Sequence, residues 1–136
     1  MTQKDKELLL KDICARLPYG VKMNHIADDE HSPKTLIGVA KDMITLEGLG
    51  GYECVDTEDY KPYLFPLSSI TDEQERELSK LGVSYGEYAL HDDIRGLGIM
   101  VDDAYIFFEF CYKHHIDFLG LIEMGLAIDA TDKNIY

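Results

Sequence analysis

Two prolines near the middle of the chain, Pro62 and Pro66, restrict the fold more than any other feature of the sequence. Each proline fixes its own φ, lacks a backbone N–H and pushes the preceding residue toward extended geometry. The segment 59–71 can therefore be neither a helix interior nor a central strand, although residues 63–65 can form a final edge strand. The sequence predicts strands before this segment and helices after it.

Short runs with a two-residue period precede the prolines and are typical of β-strands. Together with the edge strand they predict about five short strands, at residues 21–26, 35–40, 43–47, 52–55 and 63–65. A helix over residues 4–16 comes first, and its apolar face leaves Asp12 and Arg16 largely outside. That apolar face consists of Leu10, Ile13, Cys14 and Leu17.

Helical signals follow the prolines. Thr71 and Gln74 have the spacing of a capping box, which predicts a helix over residues 72–81. A more hydrophobic core helix runs from an N-cap at residues 102–103 to about residue 114, and Asp117 caps a last short helix over residues 118–124. Glycines interrupt residues 83–101, which show no clear period.

These elements predict an α+β fold in one domain of 136 residues. An N-terminal helix leads into a small SH3-like β-barrel or a curled antiparallel sheet, because either arrangement would protect the strand edges. A C-terminal helical part follows. The β-rich subdomain with its leading helix spans about residues 1–67, and the helical subdomain spans about residues 71–136.

The net charge of −13 disfavours binding to nucleic acid, which depends on Lys and Arg replacing counterions. An acidic surface keeps the chains apart by repulsion, or presents itself to a basic partner, or imitates DNA. No apolar run reaches the roughly 18 residues that a membrane span needs, and the charged N-terminus does not look like a signal peptide. Three cysteines at wide spacings predict buried thiols and a reducing cytoplasm.

Four aromatic residues lie around the junction between strands and helices, and they are the candidate protein-binding residues: Tyr52, Tyr60, Tyr63 and Phe65. Such side chains can line a groove that takes an extended peptide. Core packing and pairing of an edge strand explain them equally well.

His114, His115 and Asp117 form a dense cluster of potential metal ligands. Adjacent histidines on a helix point about 100° apart, so structural roles are favoured over metal binding or catalysis. Cys111 and His115 have the spacing of a nucleophile pair, but a buried structural cysteine is the better interpretation. No catalytic residue, metal or cofactor is predicted.

Three strings are distinctive together: KDICARLPYGV at 11–21, KPYLFPLSSIT at 61–71 and HHIDFLGLIEMGLAIDA at 114–130. They resemble a family of uncharacterised proteins encoded by Bacteroidetes and their prophages or mobile elements. The resemblance implies a cytoplasmic, bacterial or phage-derived setting and assigns no activity. Phe65, Leu119 and Thr131 depart from the family pattern, which often has Arg, Arg and Pro at these positions.

The leading hypothesis is a non-enzymatic, intracellular module that binds a protein partner or itself. One alternative is an acidic effector that competes with DNA for a host protein. Another is a small enzyme that uses the region of His114 and His115. No nucleic-acid or membrane partner is expected.

Overall fold

The computed structural model describes residues 1–29, 32–82 and 104–136 and confirms the α+β fold. Three α-helices, three short 3-10 helices and seven strands lie in these ranges. The α-helices are α1 (Gln3–Arg16), α2 (Asp72–Lys80) and α3 (Ala104–Lys113). The strands are β1 (Lys22–His25), β2 (Lys34–Val39), β3 (Met43–Gly48), β4 (Gly51–Asp56), β5 (Tyr60–Pro66), β6 (Ile116–Asp117) and β7 (Ile128–Asp129). No helix in this part of the chain is long and apolar enough to cross a membrane.

The strands form one mixed sheet in the order β4-β3-β2-β1-β5-β6, with β7 also paired to β5. Neighbours from β4 to β5 are antiparallel, whereas β6 and β7 run parallel to β5. The curled-sheet alternative is therefore the better description, and the closed barrel is wrong. Strand β5 already pairs with β1, β6 and β7, whereas β4 pairs with β3 alone among the described strands.

Strand β5 lies inside the sheet, so the prediction that the two prolines exclude a central strand is wrong. Ile26 N–H donates to Asp59 O at 2.9 Å, which makes Asn24 and Lys61 the next hydrogen-bonded pair. Pro62 faces Met23, next to the Asn24–Lys61 pair, and Met23 and Pro62 therefore form a non-hydrogen-bonded pair. Because the ladder to β1 needs no N–H there, a proline fits without loss.

Tyr136 completes this junction. The register places Lys22 opposite Tyr63, one hydrogen-bonded position beyond the Asn24–Lys61 pair. The hydroxyl of Tyr136 accepts a hydrogen bond from Lys22 N–H at 2.9 Å and donates one to Tyr63 O at 2.7 Å. A side chain thus bridges β1 and β5 where a direct main-chain bond would be expected.

Both helix starts follow from local sequence. Thr71 accepts a hydrogen bond from Gln74 N–H at 3.1 Å, and Gln74 Oε1 accepts one from Thr71 N–H at 3.0 Å, which confirms the predicted capping box of α2. A second capping box between Thr2 and Asp5 begins α1. The predicted cap at residues 102–103 and the segment 83–101 lie outside the described residues.

The buried face of α1 differs from the predicted one, because Asp12 and Arg16 are buried and Cys14 is exposed. Arg16 Nε and Nη2 donate to the Asp12 carboxylate at 2.7 and 3.1 Å. Nη2 also donates to Ile116 O at 2.8 Å, and Nη1 donates to Cys111 O at 3.3 Å. This satisfied pair joins α1 to the end of α3 and to β6.

Two hydrophobic clusters make up the core. One packs α1 against the sheet and contains Leu9, Ile13, Val21, Met23, Leu36, Ile44, Leu46, Tyr60, Leu64, Leu121, Leu126 and Ala127. The other joins α2, α3 and β6 and contains Leu78, Phe107, Phe110, Cys111, Ile116 and Phe118. Helix α3 is thus a core helix, as predicted.

The last predicted helix, over residues 118–124, is absent from the described structure. Instead, the Asp117 carboxylate accepts hydrogen bonds from the N–H groups of Gly120, Leu121 and Ile122, each at 2.9 Å. Gly120 and Gly125 have positive φ values of 80° and 76°. These left-handed positions hold the segment in turns that lead into β7.

Candidate functional site

Strand β4 lies at the open end of the sheet. Thr57 N–H donates to Asp42 O at 3.1 Å, and the register with β3 continues from there without a shift. Since hydrogen-bonded and non-hydrogen-bonded pairs alternate, Glu53 and Val55 bond to β3. The main-chain groups of Tyr52, Cys54 and Asp56 therefore point away from β3, and no strand within the described ranges pairs with them. These three residues define the β4 edge.

The side chains of the β4 edge lie on the sheet face opposite the core, whereas Val55 packs against the core cluster. Tyr52 is 72% exposed, and Ile37 and Met43 on the neighbouring strands are 40% and 44% exposed. Leu49, in the β3–β4 turn, is fully exposed. This end of the sheet thus presents apolar side chains beside unpaired main chain, a combination typical of interaction surfaces.

A row of small residues crosses this outer face and consists of Gly38, Thr45 and Cys54, which are opposite one another on β2, β3 and β4. Thr45 Oγ1 and Cys54 Sγ are 3.5 Å apart. A Cβ atom added to Gly38 would lie 3.3 Å from Thr45 Cβ. Glycine at position 38 therefore lets the Thr45 side chain pack closely over β2, and the three residues form a continuous row of small side chains.

The β4 edge is acidic. Glu47 faces Tyr52 across the β3–β4 pair, and Asp56 faces Met43. Neither carboxylate forms an ion pair with a described residue, whereas Glu53 is paired with Lys34 and Glu58 with Lys6. The carboxylates of Glu47 and Asp56 thus stay available to a cationic partner. Lys41, in the turn between β2 and β3, is an exposed cation at this end of the sheet.

The four predicted protein-binding residues do not line one groove. Tyr60 and Tyr63 are buried, and burial raises the pKa of Tyr63 to about 12. Phe65 is half-buried and contacts Tyr136, with the ring centres 5.8 Å apart. Tyr52 alone of the four is exposed, at the opposite end of the sheet. Their protein-binding role stays a prediction, for which Tyr52 is the accessible residue.

The histidine cluster separates in the structure. His114 Nε2 lies 3.0 Å from Glu77 Oε2, which links α3 to α2. The His115 ring stacks on Tyr136 with the ring centres 3.7 Å apart, and Asp117 bonds to main-chain N–H groups. Within the described residues no three potential ligands come together around a point that could hold a metal ion.

Cys111 and His115 lack the properties of a nucleophile pair. Cys111 is fully buried, and this burial raises the pKa of its thiol, which disfavours the thiolate. Burial, together with Arg16 and other nearby cations, lowers the pKa of His115 to about 4. The pair is therefore held as a neutral thiol and a neutral imidazole. The prediction of a buried thiol holds for Cys111 and is wrong for Cys14 and Cys54, which are exposed.

Comparisons of the chain with protein-family models, with curated proteins and with solved structures gave no match. Sequence reasoning selected Tyr52 but missed Glu47, Cys54 and Asp56. The alternation of residues 52–56 beside the glycine turn at residues 48–51 could have indicated them, once the strand was known to lie at an edge.

Proposed function

We propose that the protein is a non-enzymatic, cytoplasmic interaction module that binds an extended, basic segment of a partner protein as an added strand along the β4 edge. The main observation in support is that the N–H and C=O groups of Tyr52, Cys54 and Asp56 point outward with no described strand beside them. Strand addition supplies affinity through main-chain hydrogen bonds, and side-chain contacts supply specificity.

Charge favours a basic segment over a second copy of the chain. Antiparallel pairing of two β4 edges about Cys54 would bring together two molecules that each carry a net charge of −13. Glu47 and Asp56 would then add like charges at the contact, which costs free energy. The net negative charge and the carboxylates of Glu47 and Asp56 would instead attract a segment rich in Lys or Arg.

The cytoplasmic setting is supported by the thiols. Cys14 and Cys54 are exposed and free, and Cys111 is free and buried. Exposed free thiols are compatible with a reducing compartment, whereas they pair or oxidise in an oxidising one. The proposed site includes one of them, Cys54.

The proposal is tested by selecting a display library of random nonapeptides on the native chain. We expect the selected peptides to protect the amide hydrogens of Tyr52, Cys54 and Asp56 from exchange in NMR spectra. Binding should be lost in Cys54→Pro, which removes an outward N–H without touching the ladder to β3. Cys54→Ser, the matched control, keeps the outward N–H and should bind far more tightly than Cys54→Pro.

Three outcomes contradict the proposal. The first is peptide-induced protection that lies elsewhere in the chain. The second is undiminished binding to Cys54→Pro. The third is a concentration-dependent dimer, seen by sedimentation, that protects the same three amides and excludes the peptides, because the occupant would then be a second copy.

A further inference from the structure

Resting on the proposed function, we infer that the partner strand carries the pattern basic–x–apolar–x–basic. Its three defined side chains lie opposite Tyr52, Cys54 and Asp56, all on the outer face. The residues written x point to the other face. The pattern follows from the order of side chains on the outer face. Tyr52 comes first, with Glu47 across from it on β3, and Cys54 and Asp56 follow.

The position opposite Tyr52 is suited to arginine. Tyr52 is 72% exposed, and Glu47 lies directly across from it on β3. A guanidinium group stacks on aromatic rings and also bonds to carboxylates through paired N–H groups. An arginine beside Tyr52 can lie over the phenol ring and reach Glu47, whereas an acidic side chain there would be repelled.

The position opposite Asp56 is the second basic one. Asp56 is exposed and faces Met43, whose side chain is 44% exposed. A Lys or Arg side chain can cover Met43 with its methylene groups while its charged end contacts the carboxylate. Tyr52 and Asp56 are four residues apart on one strand, about 13 Å, so the two basic residues of the partner are also four apart.

The position opposite Cys54 is apolar because small, uncharged side chains lie there between the two acidic positions. Gly38, Thr45 and Cys54 form a row across three strands, and Ile37, 40% exposed, precedes Gly38 on β2. A leucine or another long aliphatic side chain from the added strand would lie over this row of small side chains. Removing that apolar surface from water adds affinity in proportion to its area.

The experiment uses the full chain and synthetic peptides. The test peptide contains Thr-Arg-Thr-Leu-Thr-Arg-Thr, and its matched control, Thr-Thr-Arg-Leu-Arg-Thr-Thr, has the same composition with the arginines moved to the opposite face. We expect the control to bind about tenfold more weakly by fluorescence anisotropy. Replacing the leucine with serine should also weaken binding.

Variants of the chain locate the contacts. Glu47→Gln and Tyr52→Ser should each weaken binding of the test peptide and reduce the difference in affinity between the test and control peptides. Glu123→Gln, the same charge change on a distant turn, should change neither. Equal affinity for both peptides, with the β4 edge amides still protected, overturns the pattern but leaves the proposed function standing. Absence of protection at those amides with any peptide overturns both.

Discussion

The two ends of the sheet are built in opposite ways. At the β5 end, β6 and β7 add main-chain pairs, Tyr136 bridges β1 to β5, and the buried Arg16–Asp12 pair fixes α1 to β6. At the β4 end, a single neighbour, β3, supplies all of the strand pairing among the described residues. The covered end pairs main-chain groups of β5 on both sides inside the molecule, whereas the open end turns main-chain groups of β4 outward.

This difference separates stability from recognition. Residues of the covered end contact segments that are distant in sequence, so substitutions there should weaken the fold. Outward-pointing groups of the open end contribute little to folding, so substitutions there should change binding alone. The following experiments test this division in order of decreasing effect.

The largest loss is expected at the covered end from Arg16→Ala. This substitution leaves the Asp12 carboxylate buried without its partner, which costs about 3–5 kcal/mol in the free energy of unfolding. Urea denaturation measures the loss, and Lys11→Ala, an exposed neighbour on α1, serves as the control. The double variant Asp12→Leu with Arg16→Met should recover only part of the stability, because the carbonyl groups of Cys111 and Ile116 still lose the donors that Arg16 supplies. A loss in Arg16→Ala no larger than in Lys11→Ala would contradict the importance of the pair.

A proline pair tests the open end. Glu53→Pro removes an N–H that bonds to β3 and should cost about 2 kcal/mol, because it leaves a ladder acceptor unpaired. Cys54→Pro removes an outward N–H and should change stability far less. Thermal unfolding of the two variants decides the matter. Equal losses would show that the assignment of inward and outward groups on β4 is wrong.

Tyr136→Phe tests the bridge between β1 and β5. The substitution removes two hydrogen bonds while keeping the ring against His115, and we expect a loss of about 1–2 kcal/mol. Tyr105→Phe, on an exposed ring of α3, is the matched control. The amide of Lys22 should exchange faster in the variant, and unchanged exchange would mean that the bridge does not protect it.

The smallest effect concerns pH. The folded-state pKa of His115 is about 4, below the ordinary value of about 6.5. As the pH falls, the imidazole is therefore protonated in the unfolded chain before it is protonated in the folded chain. The contribution of His115 is complete above about pH 6.5 and is lost as the pH falls toward 4, by about 1 kcal/mol between pH 7 and 5.5. His115 has a positive φ of 60°, which asparagine tolerates, so His115→Asn should keep the backbone and flatten this dependence. If the free energy of unfolding from urea titrations depends on pH equally in the variant and the native chain, other groups cause the dependence.

The sequence predicts what depends on neighbours along the chain. The capping box at Thr71, the period of the strands and the hydrophobic composition of α3 are local, and each is found in the structure. The interior position of β5 was missed because only the register shows that Pro62 faces a non-hydrogen-bonded position. The burial of Arg16 was missed because the carbonyl groups that satisfy it come from residues near position 116. An Asp–Arg spacing of four residues was the available signal.

The candidate site was only partly predictable for the same reason. Tyr52 stood out as an aromatic residue in a strand, but its exposure depends on β4 being the last strand in the order. Tyr60 and Tyr63 looked equivalent to it in sequence, yet the pairing of β5 buries them. Strand order depends on contacts between distant segments, and a two-residue period in the sequence does not indicate it.

The bridge made by Tyr136 has a consequence for biosynthesis. The contact joins residues 114 positions apart, and the bonds from Arg16 span 95 and 100 positions. During translation β1 and β5 are made before Tyr136, whose hydroxyl bridges them. This junction gains its bridge only after Tyr136 has been synthesised, so removal of Tyr136 should slow folding of the new chain.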